Sequence, residues 1–102
     1  GRMAMGKGYW ISSYKKIINE EQFQKYADLA QAAVLEGGGT FLVRGGEVEA
    51  FQEGLAERTV VVEFNNFESA KTAYNSSTYK RALCFLENSA VRDFRIAEGV
   101  IE

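Results

Sequence analysis

Polar and apolar positions alternate along residues 8–14. Tyr9, Ile11 and Ser13 fall on one side of an extended chain, and Trp10, Ser12 and Tyr14 on the other. The spacing then lengthens. Phe23, Tyr26, Ala27, Ala30, Ala33 and Val34 recur at helical intervals, and Leu29 widens the stripe. Asn19 with Gln22 three residues on stands in capping-box register. Gly37-Gly38-Gly39 predicts the stop, because glycine accepts the left-handed conformation common just past a helix end. Thr40–Arg44 reads as a second strand, Gly45-Gly46 as a turn, residues 47–51 as a further strand or hairpin arm, and 52–57 as a polar connector. Residues 58–64, rich in β-branched side chains, are the strongest strand. Asn65 or Asn66 caps a helix running through Tyr74. Asn75-Ser76-Ser77 breaks it, and Ser76 or Ser77 caps a third segment whose Tyr79, Ala82, Leu83 and Leu86 share a face. A last strand falls near residues 94–99.

The order β-α-β-β-α-β, with an optional arm at 47–51, predicts an α+β ferredoxin-like subunit: an antiparallel sheet with helices on one face. The other sheet face would carry Ile11, Leu42 and Val61 beside a few polar groups. That is too apolar for a fully solvated surface, so a homodimer packed sheet to sheet is expected. These faces assume strands without a bulge, since one extra residue inverts everything beyond it.

Length and composition narrow the field. The 102 residues suit one domain, read as 6–102, with residues 1–5 a tag remnant or disordered start. Net charge is −2, and no run of Lys or Arg offers a footprint for nucleic-acid phosphates. Histidine is absent, which removes the commonest general base, the commonest metal ligand and any Ser-His-Asp triad. The single cysteine, Cys84, allows neither an intrachain disulfide nor a cysteine-based zinc site, and its setting ALCFLE reads as core. No metal or organic cofactor is expected. No segment approaches the ~18 apolar residues that span a bilayer, so neither membrane nor nucleic acid is an expected partner, and a reducing cytoplasmic location is.

The segments GYWI, FLVRGGEVE, RTVVVEFNNFESAKTAYNSSTYKRAL and RIAEGV together resemble the domain of unknown function 1330 family, from about Gly6 to Val100. The resemblance implies a dimeric α+β barrel, a superfamily that includes cofactor-independent monooxygenases, haem-degrading enzymes, muconolactone isomerase and ligand-binding domains. Lacking histidine, the chain does not inherit haem degradation through a histidine ligand. Tyr74-Asn75-Ser76 occupies the expected family position, and Ser77 stands where relatives often have proline. The family itself implies no settled activity.

The candidate chemistry rests on few residues. Arg44, beside two glycines at a strand end, suits a carboxylate in fork geometry, or a salt bridge to Glu47, Glu49 or Glu63. Glu63, the one carboxylate inside VVVEF, is a candidate general base on a semi-apolar face, or the partner of Arg44 or Arg58. Tyr74 and Tyr79 are candidate hydrogen-bond donors to a carbonyl or enolate. Asn75 and Ser76 either join them around a ligand or simply hold the helix break. Tyr9, Trp10, Tyr26 and Phe41 read as core or interface, and alternatively as an aromatic pocket. Catalysis requires Arg44, Glu63 and Tyr74 to converge on one cavity. The expected function is binding or converting a small organic acid or carbonyl compound in the manner of a cofactor-free isomerase or monooxygenase. The alternative is a non-catalytic ligand-binding or stress-associated dimer.

Overall fold

A computed structural model describes residues 6–101; the reading of residues 1–5 lies outside them. The elements run β1 (Gly8–Ile17), α1 (Glu20–Glu36), β2 (Thr40–Arg44), β3 (Thr59–Phe64), α2 (Phe67–Tyr74), α3 (Ser77–Leu86) and β4 (Ala90–Glu98). All pairings are antiparallel, in the order β2-β3-β1-β4. This is the ferredoxin-like α+β fold with its second helix split in two. The expected arm at 47–51 does not form a strand; residues 45–58 are a largely exposed excursion between β2 and β3.

The helix boundaries follow from side-chain chemistry. Asn19 accepts from the Gln22 N–H, Asn66 from Ser69 and Ser76 from Tyr79, each filling a donor the first turn leaves unpaired. Gly38 ends α1 at φ +78°, a conformation open to glycine. Gly8 is required for another reason. A side chain there would run into the Asn66 carbonyl and the Phe67 Cα, so β1 and the start of α2 touch backbone to backbone.

The core lies between the helices and one sheet face. Trp10, Tyr14, Val62 and Phe64 from the sheet meet Phe23, Tyr26, Val34, Ala70, Ala73, Tyr79 and Ala82 from the helices. Trp10 is the hub. Its ring lies 4.7 Å from Tyr79, 5.1 Å from Phe64 and 5.6 Å from Phe94, and its indole N–H donates to the Ala70 carbonyl at 2.8 Å. Cys84 departs from expectation: it is exposed. α3 buries Thr78, Tyr79 and Ala82, and two further residues rotate Cys84 about 200° away from Ala82, off that face.

A bulge corrects the assignment of β2. Phe41 pairs with Val62, but Val43 pairs with Val61 and Arg44 with Val60, leaving Leu42 as the extra residue. Paired residues share a face. Val43 therefore replaces Leu42 on the outer face, and Arg44 turns to the helix side. Val43, Val61 and Ile11 form one apolar row across three strands, with Ile11 36% and Val43 40% exposed. Two polar pairs flank that row: Tyr9 donates to Glu63 and Arg95 to Asp93. Among the described residues, no helix is long and apolar enough to cross a membrane.

Candidate functional site

Where α1 crosses the open end of the sheet, its apolar stripe leaves a cavity of about 190 Å³. Phe23, Tyr26, Ala30 and Val34 form one wall; Trp10, Ser12, Tyr14, Val60, Val62 and Phe94 form the other. The pairings dictate what the sheet presents. Arg44, Val60, Ser12 and Phe94 make one row across the four strands. In the next row Tyr14 stands beside Arg92, while its N–H donates to the Arg58 carbonyl at 3.0 Å. Three guanidinium groups therefore reach one aromatic chamber.

None of the three has an ion-pair partner among the described residues. The Arg44 guanidinium stacks on Phe41 at 4.1 Å and Arg58 faces Phe23 at 5.5 Å. Arg58 Nε is buried without a hydrogen-bond acceptor, a state costing about 1–3 kcal/mol or more. Arg92 is held by neutral groups alone. Its Nη1 donates to Ser12 Oγ at 3.2 Å and to the Tyr26 hydroxyl at 2.9 Å, and its Nη2 to the Tyr79 hydroxyl at 2.9 Å. Asp28 is the one carboxylate on the cavity lining; it sits on the exposed side of α1 and accepts from Gln24. Arg58 and Arg92 are half-buried and Arg44 is exposed at the mouth; partly desolvated guanidinium groups left without a carboxylate give the chamber the chemistry of an anion site.

The hydroxyls beside Arg92 stay neutral. Burial, reinforced by Tyr79, holds Tyr26 well above the ordinary phenol value of 10.0, although Arg92 pulls it down. Tyr79 is raised too, by burial first and against Arg92. Burial opposes the Arg92 charge, but the surrounding Tyr26, Tyr79 and Tyr14 more than offset it and raise its pKa. The fold thus binds both phenolic protons more tightly than the unfolded chain. This stabilisation is intact below about pH 10 and is lost as pH climbs through the raised values. Urea midpoints taken between about pH 8 and about pH 11.5 should fall at the alkaline end, and fall less in Tyr26→Phe. Equal alkaline losses in both proteins would show that Tyr26 is not so coupled.

The sequence-derived residues do not converge. Only Arg44 lines the cavity. Glu63 lies on the outer sheet face, where its partner is the Tyr9 hydroxyl at 3.0 Å and neither Arg44 nor Arg58. That hydrogen bond is the main reason the Tyr9 hydroxyl is raised above 10.0. Tyr74 packs on Tyr79 and Phe94 and faces a separate shallow hollow with Leu83, Leu86 and Glu87. Asn75 closes α2 by donating to the Lys71 carbonyl, and Ser76 joins α2 to α3 by bonding Ala73 and Tyr79. Tyr79 is fully buried behind the cavity wall and supports Tyr26 and Arg92. Of the four aromatics, Trp10, Tyr26 and Phe41 line the chamber, whereas Tyr9 faces outward. Ser12, Arg58 and Arg92 are the additions. The sequence signal for Arg92 was its two-residue spacing from Phe94 and Ile96, which puts a charge on a buried face.

A family model described as Domain of unknown function (DUF1330) matches residues 7–100. No curated protein matches the chain. Solved structures share its fold at low identity. A protein of unknown function from Rhodopseudomonas palustris is 14% identical with a TM-score of 0.67, over 92% of this chain and 81% of that one. SnoaB, a cofactor-independent oxygenase from Streptomyces nogalater, is 7% identical with a TM-score of 0.60, over 95% and 96%. A dimeric protein of unknown function and ferredoxin-like fold from Bacteroides fragilis is 15% identical with a TM-score of 0.58, over 94% and 99%.

Proposed function

The chain belongs to the domain of unknown function (DUF1330) family, whose name carries no activity, and on that premise we propose that the cavity under α1 binds a small organic acid as its anion. The observation that carries this reading is the set of three arginines, Arg44, Arg58 and Arg92, reaching one aromatic chamber without a single ion pair among the described residues. A carboxylate would satisfy the orphaned Arg58 Nε and offset charge that the protein leaves uncompensated. Arg44 keeps the anion-holding role its sequence setting suggests, now shared with two others. Glu63 and Tyr74 are given no part in the cavity.

The activity that fits is conversion, without metal or organic cofactor, of an acid or carbonyl compound through an oxyanion. Arg92, Ser12 and Tyr26 present donors to a developing negative oxygen. The fold shared with a cofactor-independent oxygenase supports the reading. Among the described residues the one carboxylate on the lining is Asp28 at the rim, and the chain has no histidine, so a proton removed from the ligand passes to Asp28 or to water.

The chain carries one tryptophan, and it lines the cavity, so binding can be read without a label. Benzoate should change Trp10 fluorescence saturably, more weakly as salt rises, whereas neutral benzamide of the same shape should bind at least about tenfold less well. Equal affinity for the two would remove the anion reading.

We further propose that the outer face joins two copies of the chain. Its row Val43–Val61–Ile11 is flanked by the pairs Tyr9–Glu63 and Arg95–Asp93, so packing against a second copy buries apolar area while the charged groups beside it keep their partners. The dimeric relative of the same fold supports this reading.

A further inference from the structure

The hydrogen atoms around Arg92 can be counted. Tyr26 and Tyr79 lie oxygen to oxygen at 2.7 Å, and each also accepts one N–H from Arg92. One hydroxyl must donate to the other, which leaves one phenolic proton over. If Tyr26 were the donor, the spare proton would belong to Tyr79, which is fully buried and outside the cavity wall, and it would have no acceptor. The favoured arrangement has Tyr79 donating to Tyr26, whose own proton then points into the cavity. Ser12 accepts from Arg92 in the same way, and its hydroxyl proton has no acceptor among the described residues either. Two O–H donors and a guanidinium charge thus converge on one point of the wall.

A second cationic point lies across the chamber. Arg58 and Arg92 occupy the same row on either side of Tyr14, two strand spacings or about 10 Å apart at the backbone. The space between is flanked by rings: Phe23 and Phe94 belong to the lining. Its size is small. A cavity of about 150 Å³ holds one benzene ring, and this one is about 190 Å³, which leaves room for a ring with small substituents.

Building on the proposed anion cavity, we propose that its ligand is a single-ring aromatic acid with a hydroxyl group opposite the acid. The carboxylate meets Arg58 and Arg44, and the ring hydroxyl binds as the phenolate to Arg92, Ser12 and Tyr26. The bound phenol is therefore more acidic than the free one. The groups facing it are Tyr14 from β1, Tyr26 and the more distant Asp28 from α1, Tyr79 from α3 behind the wall, Arg92 from β4, and Arg44 and Arg58 across the ring. Burial here raises Tyr26 and Tyr79, but three cations face only two carboxylates, Asp28 and the ligand's own, and Arg92, Ser12 and Tyr26 can all donate to the ionised oxygen, so the balance favours it.

The test uses 4-hydroxybenzoate labelled with carbon-13 at the hydroxyl-bearing carbon, whose chemical shift reports ionisation, and unlabelled benzoate as reference. The protein should bind 4-hydroxybenzoate about tenfold more tightly than benzoate, and the bound hydroxyl should ionise at least about one pH unit below the free acid. Arg92→Gln should abolish that displacement. Ser12→Ala, a smaller change in case Arg92→Gln does not fold, should narrow the affinity ratio. Equal binding of the two acids with an undisplaced hydroxyl titration would overturn the phenolate site while leaving the anion cavity standing. Failure of both acids to bind would overturn the two together.

Discussion

Trp10→Ala should destabilise the protein by about 3–5 kcal/mol, the loss typical of a large aromatic cut back inside a core. Trp10 is 3% exposed and touches Phe64, Tyr79, Phe94 and Tyr74. It thereby joins the sheet to both α2 and α3. A domain of this size holds about 5–15 kcal/mol in all, so the variant should lose about a fifth of its stability or more. Urea unfolding followed by circular dichroism would show the midpoint falling at an unchanged slope. Trp10→Phe separates packing from the indole hydrogen bond. It keeps an aromatic ring and loses the bond to the Ala70 carbonyl, which retains its helical partner, so about 1 kcal/mol should go with the bond itself, plus a smaller packing loss. A parent-like midpoint for Trp10→Ala would mean that the core is not organised around this ring.

If the outer face joins two copies as proposed, Val61→Asp should abolish that self-association at concentrations where the parent associates. Val61 is central in the outer row, between Val43 and Ile11. A two-fold interface would place two new carboxylates close together in an apolar contact. Leaving one buried charge uncompensated costs about 3–5 kcal/mol, or about two to four orders of magnitude in dissociation constant. Light scattering would report a folded monomer, with circular dichroism confirming that the subunit is intact. A dimer as tight as the parent's would place the contact elsewhere. Leu42→Asp should be much milder, since Leu42 is the unpaired residue of the bulge.

That contrast shows what the sequence carries and what it hides. Caps were legible because they are local: Asn19, Asn66 and Ser76 each bond three residues ahead, and the chain displays both partners. The triple glycine and the Asn-Ser-Ser break were legible for the same reason. Alternation placed Trp10, Ser12 and Tyr14 against the helices, and they lie there. The bulge at Leu42 was not legible, because an inserted residue leaves no mark in the two-residue pattern. It turned Arg44 from the outer face to the helix face, and so decided which cavity an arginine could reach.

The site suffered more than the fold. Arg44 and Glu63 are both strand residues with polar tips, yet register puts them on opposite faces. Tyr79 reads in the sequence as a donor to a ligand, but the Ser76 cap turns its ring inward, where its hydroxyl meets Tyr26 and Arg92. Arg58 is unremarkable in the chain, and the alternation of Arg92 with Phe94 and Ile96 is masked by an acidic neighbour that, like Glu57 beside Arg58, suggests an ordinary exposed pair. Only the tertiary structure shows that Asp93 is taken by Arg95, leaving Arg92 to three hydroxyls. Pairing across the sheet is a long-range property, and neighbours in sequence misreport it.

The anion cavity is tested most directly by a crystal structure of the protein grown with 4-bromobenzoate, in which anomalous scattering from bromine fixes the position of the ring. The expected result is one strong peak inside the chamber between Phe23 and Phe94, with the carboxylate against the Arg58 and Arg44 guanidinium groups and Arg58 Nε no longer orphaned. Bromine only on the outer surface, or an empty chamber at saturating acid, would contradict it.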